Sequence, residues 1–144
     1  MQVRHILQGK GRDVVAISNN ATLCDAAKLL TEMKIGALVV MDNGQLIGII
    51  SERDLVRAMA KQGAAAFSEP VGNHMTSAPE TCVETDTVET LMEAMTRGRF
   101  RHVPVLDDNK RLCGMVSIGD VVKTRIAETV SEAAALRDYI SAAV

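Results

Sequence analysis

The chain has 144 residues, enough for one compact domain or two small halves sharing a core, since a chain of this size buries about 68% of its unfolded surface. Apolar residues make up 47% of it and aromatics only 2%, so the core has to be built from Ala, Val, Ile, Leu and eight Met, which argues against an aromatic platform for stacking bases. The 16 basic and 18 acidic side chains, mixed in sign along the chain for a formal net charge of −2, suggest neither a nucleic-acid tail nor a polybasic membrane anchor.

The opening residues, MQVRHILQGKGRDVVAI, hold no apolar run before a small-residue cleavage site, and no stretch of about 20 apolar residues occurs anywhere. A soluble, cytoplasmic protein is therefore expected. Cys24, Cys82 and Cys113 are odd in number and show no CxxC spacing, which fits packing residues in a reducing compartment better than a disulfide framework.

In chain order, residues 14–17 (VVAI) form a short β-branched run that predicts a strand. Thr22 then opens a helical pattern with Leu23, Ala26, Ala27 and Leu30 on one face, and Thr22 with Asp25 has capping-box spacing. The helix is predicted to end near Lys34, before Gly36. Residues 37–41 (ALVVM) and 46–50 (LIGII) flank an Asp42-Asn43-Gly44 turn and predict a hairpin, with a helix after it.

Residues 69–80 (EPVGNHMTSAPE), with two Pro and one Gly, read as an ordered linker. The order then repeats. Cys82 and Val83 predict a strand, and a helix from Thr87 carries Val88, Leu91, Met92 and Met95. Residues 102–106 (HVPVL) and 112–116 (LCGMV) predict two strands, the first holding Pro104, which argues for an edge or irregular pairing there. A last helix runs from about Ser117 towards Tyr139.

The chain matches itself at an offset of 65 for Thr22 and Thr87, Val40 and Val105, and Asp42 and Asp107. The offset becomes 66 for Gly48, Ser51 and Asp54 against Gly114, Ser117 and Asp120, because DNGQ becomes DDNKR in a turn that tolerates insertion. The period is too long for a solenoid unit. Two copies of one β-α-β-β-α module are predicted, an α/β (α+β) fold divided as 1–68, linker 69–80, and 81–144. Each half alone has an open sheet face, so the copies are expected to pack through their sheets with pseudo-twofold symmetry.

Ser51-x-x-Asp54 and Ser117-x-x-Asp120 both stand where a strand ends and a helix begins. Each could be a capping box and nothing more, with Gly48 and Gly114 easing strand curvature or close packing. The same place offers unpaired N–H groups to a phosphate and a carboxylate to a ribose diol, the two ends of a nucleotide. The spacing leaves both readings open.

The residues IGALVVMDNGQLIGIISERDL, VGNHMT and FRHVPVLDDNKRLCGMVSIGDVV together resemble the tandem cystathionine-β-synthase domain pair, the CBS pair or Bateman module, over nearly the whole chain. The resemblance implies two pseudo-symmetric clefts that take adenosine-containing ligands such as AMP, ADP, ATP, NAD or S-adenosylmethionine. It implies that Asp54 and Asp120 take the ribose diol, one in each cleft, with Ser51 and Ser117 against ribose or phosphate. It places Ile17 and Cys82 at the adenine, and adds Gly36, Ala37, Arg53 and Pro104 to the candidate ligand contacts. Arg101 and His102 become candidate phosphate contacts reaching towards either cleft. They stand, with Arg99, where the first copy has Lys34, Gly36 and Ala37, while the alternative is a solvated cationic helix end. The resemblance also implies a disc-shaped homodimer and an unidentified protein target.

His5, His74 and His102 show no metal-ligand spacing, and no nucleophile, phosphate-loop or dinucleotide motif is present, so no enzyme, metal or catalytic cofactor is expected. The rivals to a nucleotide sensor are a ligand-free scaffold, in which the repeated motif only caps helices, and a redox response through the three cysteines.

Overall fold

The structure, a computed structural model, describes residues 1–143. Helix α1 (Val3–Lys10) precedes β1 (Ala16–Ser18), α2 (Leu23–Met33), β2 (Ala37–Asp42), β3 (Gln45–Ser51) and α3 (Glu52–Gln62). Two 3-10 turns (Gly63–Ser68 and Val71–Asn73) lead into β4 (Thr76–Ser77). The second half follows as β5 (Cys82–Val83), α4 (Val88–Gly98), β6 (His102–Leu106), β7 (Leu112–Ser117) and α5 (Ile118–Ala142). The fold is mixed α/β, with the expected β-α-β-β-α order in both halves.

Local rules account for most boundaries. Thr22 Oγ1 accepts from the Asp25 N–H at 3.1 Å while Asp25 Oδ2 accepts from the Thr22 N–H at 3.1 Å, closing the capping box that starts α2. Thr87 Oγ1 accepts from the Thr90 N–H and starts α4 in the same way. Lys34 and Arg99 end these helices in the left-handed conformation. At the hairpin, Asn43 and Gly44 have φ of 51° and 76°, the paired left-handed values of a type I′ turn.

The first sheet has the order β1-β2-β3-β4 and the second β5-β6-β7; in each, the first strand runs parallel to the second and the hairpin is antiparallel. Both hairpins slip register near the turn, at Val40/Met41 and at Val105/Leu106, so the repeat extends to its irregularities. Pro104 corrects the expectation of an edge strand: β6 lies in the middle of its sheet. Proline is tolerated because β5 reaches only Val105 and Leu106, which leaves Pro104 paired on one side only, opposite Met115.

Strand alternation divides the apolar residues into two sets. Leu38, Val40 and Ile50 pack with Leu23, Ala26 and Leu30 of α2 and Leu55 of α3 in a first core. Val103, Val105 and Val116 pack with Val88, Leu91 and Met95 of α4 and Val121 of α5 in a second. Ala37, Val39 and Ile49 belong to neither core yet are buried. They face the other half, whose sheet covers them.

The segments that lead into the repeats are exchanged. Val3, Ile6 and Leu7 of α1, spaced for one helix face, complete the second core rather than the first. Backbone bonds show the exchange twice: Val3 N–H donates to Asp86 O and Val88 N–H to Met1 O, while Val71 N–H donates to Ala21 O and Leu23 N–H to Glu69 O. The 69–80 segment is thus an ordered part of the first half, and its β4 extends the first sheet beside β3.

The two motif glycines lie where these exchanged segments cross. A Cβ on Gly48 would meet Met75 Sδ at 2.6 Å and the Thr76 backbone oxygen at 2.8 Å, and one on Gly114 would meet the Leu7 methyls at 2.7 and 2.9 Å. The Leu7 methyls can rotate away, whereas the backbone oxygen that closes the β3–β4 pairing is fixed. Gly48→Ala is therefore expected to destabilise the fold more than Gly114→Ala, towards the upper end of the roughly 1–3 kcal/mol of overpacking. Chemical unfolding of the two variants checks the order.

Candidate functional site

Two clefts open between the halves, and each is built from both repeats. The larger, about 660 Å³, takes Ser51, Arg53, Asp54 and Arg57 from the first repeat, Thr76, Ala78, Pro79 and Glu80 from the segment after β4, and Arg99, Phe100, Arg101 and His102 from the end of α4. The smaller, about 300 Å³, takes Asp13, Val14 and Val15 from before β1, Lys34, Ile35, Gly36 and Ala37 from the end of α2, and Met115 and Ser117 from β7. Lys10 also lines the smaller cleft. The two sets correspond through the repeat in that the motif serine of one copy faces the helix end of the other, but Asp54 lines the larger cleft whereas Asp120, expected in the second cleft, lines neither.

The larger cleft centres on Asp54, the sole buried polar or charged side chain among the described residues. The Ser51 N–H and Oγ–H donate to its Oδ2 at 2.8 and 3.0 Å, and Arg57 Nη1 donates to Oδ1 at 3.3 Å. The capping interaction thus occupies one carboxylate oxygen. The other is held only by the largely exposed Arg57, whose hold on it is weak and displaceable. Arg53, Arg99 and Arg101 add positive charge to the walls, against Glu52 and Glu80.

Asp120, the counterpart of Asp54, is engaged differently. The Ser117 N–H and Oγ–H donate to its Oδ2 at 2.8 and 3.0 Å, closing the same capping box, but Lys10 Nζ donates to the same oxygen at 2.8 Å. Lys10 also donates to Met115 O at 2.9 Å, so α1 lays an ammonium between Asp120 and the wall of the smaller cleft. Burial pushes the Asp120 carboxyl up, but the Lys10 and Ser117 hydrogen bonds outweigh it and hold the group below the ordinary carboxylate value.

His102 partitions the clefts and lines both. A Cβ on Gly36 would sit 3.4 Å from its Cε1, so glycine there lets the imidazole lie against the β2 backbone. Burial first, and then Lys10, lower the His102 pKa, which keeps the ring neutral at pH 7 and makes it a hydrogen-bonding group rather than a cation.

The structure brings together Gly36, Ser51, Arg53, Asp54, Arg101, His102 and Ser117 at the larger cleft, and Gly36, Ala37, His102 and Ser117 at the smaller. Ile17, Cys82 and Pro104 are corrections: all three are buried and line neither cleft. Ile17 and Cys82 point into the helical cores because alternation turns them inward, and residues just before each strand line the clefts instead. Sequence reasoning missed Lys10, Asp13 and residues 76–80. The first had a signal, the i, i+3, i+4 spacing of Val3, Ile6 and Leu7; the others lie in irregular segments without one.

Burial, with Asp86 and Cys113 nearby, pushes the Cys82 thiol up to about 12. That makes it a poor nucleophile at neutral pH and weakens the redox reading. A thiol titrating near 9.0 when unfolded and near 12 when folded contributes stability that is present below pH 9 and lost as pH rises towards 12. Between pH 8.5 and 10.5 the wild type is expected to lose more unfolding free energy than Cys82→Val, measured by urea titration. Among the described residues no group of three His, Cys, Asp or Glu is placed to hold a metal, and no helix is long and apolar enough to cross a membrane.

The crossed clefts, exchanged leading segments and doubled Ser-x-x-Asp helix starts define a paired-repeat module. The chain belongs to the CBS domain family, whose model matches residues 3–61 and again 71–127. It is 37% identical over 147 residues to the mitochondrial CBS domain-containing protein CBSX3 of Arabidopsis thaliana, covering 96% of this chain and 71% of that protein. A solved CBS-domain containing protein from Agrobacterium tumefaciens superposes with a TM-score of 0.84 at 49% identity, covering 87% of this chain and 99% of that one. A CBS domain protein from Pyrobaculum aerophilum, solved in complex with AMP, superposes with a TM-score of 0.74 at 29% identity, covering 83% and 89%.

Proposed function

We propose that the protein is a regulatory module, with repeats at 1–68 and 81–144 joined by 69–80, that binds an adenosine-containing nucleotide in the larger cleft. It passes the signal on by a change in conformation or assembly, which requires a ligand that binds one arrangement better than another. The observation that carries this reading is Asp54, buried in the wall of the larger cleft, with Oδ2 held by Ser51 and Oδ1 held only by the exposed Arg57. A carboxylate so placed accepts two hydrogen bonds from a ribose cis-diol. The α3 N-terminus and the surrounding arginines suit the phosphate. The AMP complex of the Pyrobaculum aerophilum relative supports the ligand class.

The two clefts differ in this reading. Lys10 reaches into the smaller cleft and lays its ammonium on Asp120, and that cleft, at about 300 Å³ against about 660 Å³, offers a nucleotide less than half the room. One nucleotide per chain is therefore expected. Calorimetry on Lys10→Met is expected to show the stoichiometry rising from one towards two; an unchanged value would mean that cleft size, not Lys10, excludes the second ligand.

The test of the reading is a thermal-shift panel with AMP, ADP, ATP, NAD, NADH and S-adenosylmethionine. A ligand at 100 times its dissociation constant adds about 2.7 kcal/mol, or roughly 5–10 °C for a domain of this size. A shift for one ligand names the signal. If none shifts the transition, the capping boxes at Ser51 and Ser117 are the motif's whole role, and the chain is a partner-binding scaffold.

A further inference from the structure

Helix α5 outruns the body of the protein. Arg125 anchors its first half by donating to Glu89 Oε1 at 2.9 Å and to Glu128 Oε2 at 3.0 Å, and Glu128 also meets the N-terminal ammonium at 3.4 Å. From Thr129 onwards every described residue is exposed, Val130, Leu136, Tyr139 and Ile140 among them. Residues 129–142 extend the helix by roughly 20 Å with nothing of the chain against them. An isolated helix shorter than about 12–15 residues is marginal in water, and one with large apolar side chains gains nothing by standing alone.

The apolar positions are not scattered. Val122, Ile126, Ala133, Leu136 and Ile140, with the polar Thr129 between Ile126 and Ala133, follow one another at spacings of four, three, four, three and four, the alternation of a coiled-coil seam. Val122, Thr129 and Leu136 occupy d positions, and Ile126, Ala133 and Ile140 occupy a positions. The small residues in the middle permit close approach of two helices. The flanking charges then choose the orientation. In a parallel pair, Glu132 at g faces Arg137 at e of the second copy, and the symmetry makes this contact twice. In the fully overlapped antiparallel pair, Lys123 faces Arg137 and Glu132 faces itself, so the flanking charges repel.

We propose that the distal half of α5 is a self-association surface whose occupant is the same helix of a second copy, in a parallel two-stranded coil. Neither Glu132 nor Arg137 has an ion-pair partner within the chain among the described residues, which leaves both free for this role. The surface is distinct from the clefts, so its test does not depend on nucleotide binding.

Sedimentation equilibrium of the full chain is expected to give a dimer. Leu136→Lys, at an exposed position of the single chain, is expected to weaken that dimer roughly a hundredfold or more, because two leucines leave the seam. Glu132→Arg is expected to weaken it and Glu132→Arg/Arg137→Glu to restore it. Oxidised Leu136→Cys is expected to form an interchain disulfide, since a parallel two-fold places the two d positions side by side. A monomeric wild type would overturn the proposal. So would a dimer indifferent to Leu136→Lys, or one that fails to cross-link at position 136, since each moves the interface or the partner elsewhere.

Discussion

Replacement of Asp54 by alanine is expected to weaken binding of the nucleotide by roughly 100-fold. Two charge-assisted hydrogen bonds to the ribose diol, at about 1.5 kcal/mol each, amount to about 3 kcal/mol, or about two decades in Kd. The same change removes half of the α3 capping box, at a cost of about 1 kcal/mol in stability. Asp54→Asn separates the effects. It keeps an acceptor for the Ser51 N–H but has only one oxygen and no charge, so it should recover much of the stability and little of the affinity. Asp120→Ala is expected to leave affinity almost unchanged, because Asp54 lines the larger cleft and Asp120 does not. Isothermal titration of the three variants decides the assignment. Equal losses at Asp54 and Asp120 would mean that both clefts are occupied.

Leu7→Ala is expected to be the most destabilising single truncation outside the strands. Leu7 is 1% exposed and lies in the second core, against the backbone of Gly114. Buried Leu→Ala changes cost about 2–5 kcal/mol, and Leu7 should fall in that range because its cavity is walled by a strand that cannot collapse onto it. For a chain of this length that is about 10 °C in Tm. The expected signature is a loss of stability in the second half caused by a residue that precedes the first. Val71→Ala tests the converse, since Val71 is fully buried in the first core though it leads into the second repeat. Protection of amides in β6 and β7 falling selectively in Leu7→Ala, by hydrogen exchange, would locate the effect.

Much of the molecule was legible before the structure because the signals are local. Thr22 with Asp25, and Ser51 with Asp54, announce helix starts through contacts three residues apart, and Asn43-Gly44 announces a hairpin through the two positive φ values it permits. The internal repeat added the pairing of the halves, since neither sheet can bury its second face alone, and the doubled Gly-x-x-Ser-x-x-Asp pattern pointed to the family. Ile17 and Cys82 face the helical cores, which the sequence does not reveal because a first strand of two or three residues is too short for alternation to show which face is inward. Pro104 misled because an edge rule applies to individual hydrogen bonds, and β5 stops one residue short of it.

What the sequence by itself determined is therefore the repeat, its elements and the chemistry of the motif at each helix start. The tertiary structure decided how those pieces meet: that α1 completes the second core, that each cleft joins the motif serine of one repeat to the helix end of the other, and that Lys10 reaches Asp120 while Asp54 lines the larger cleft. The physical reason is distance along the chain. Caps and turns are settled within about four residues by hydrogen bonds the backbone must make, whereas Lys10 and Asp120 are 110 residues apart and meet only because the second core packs both of their helices.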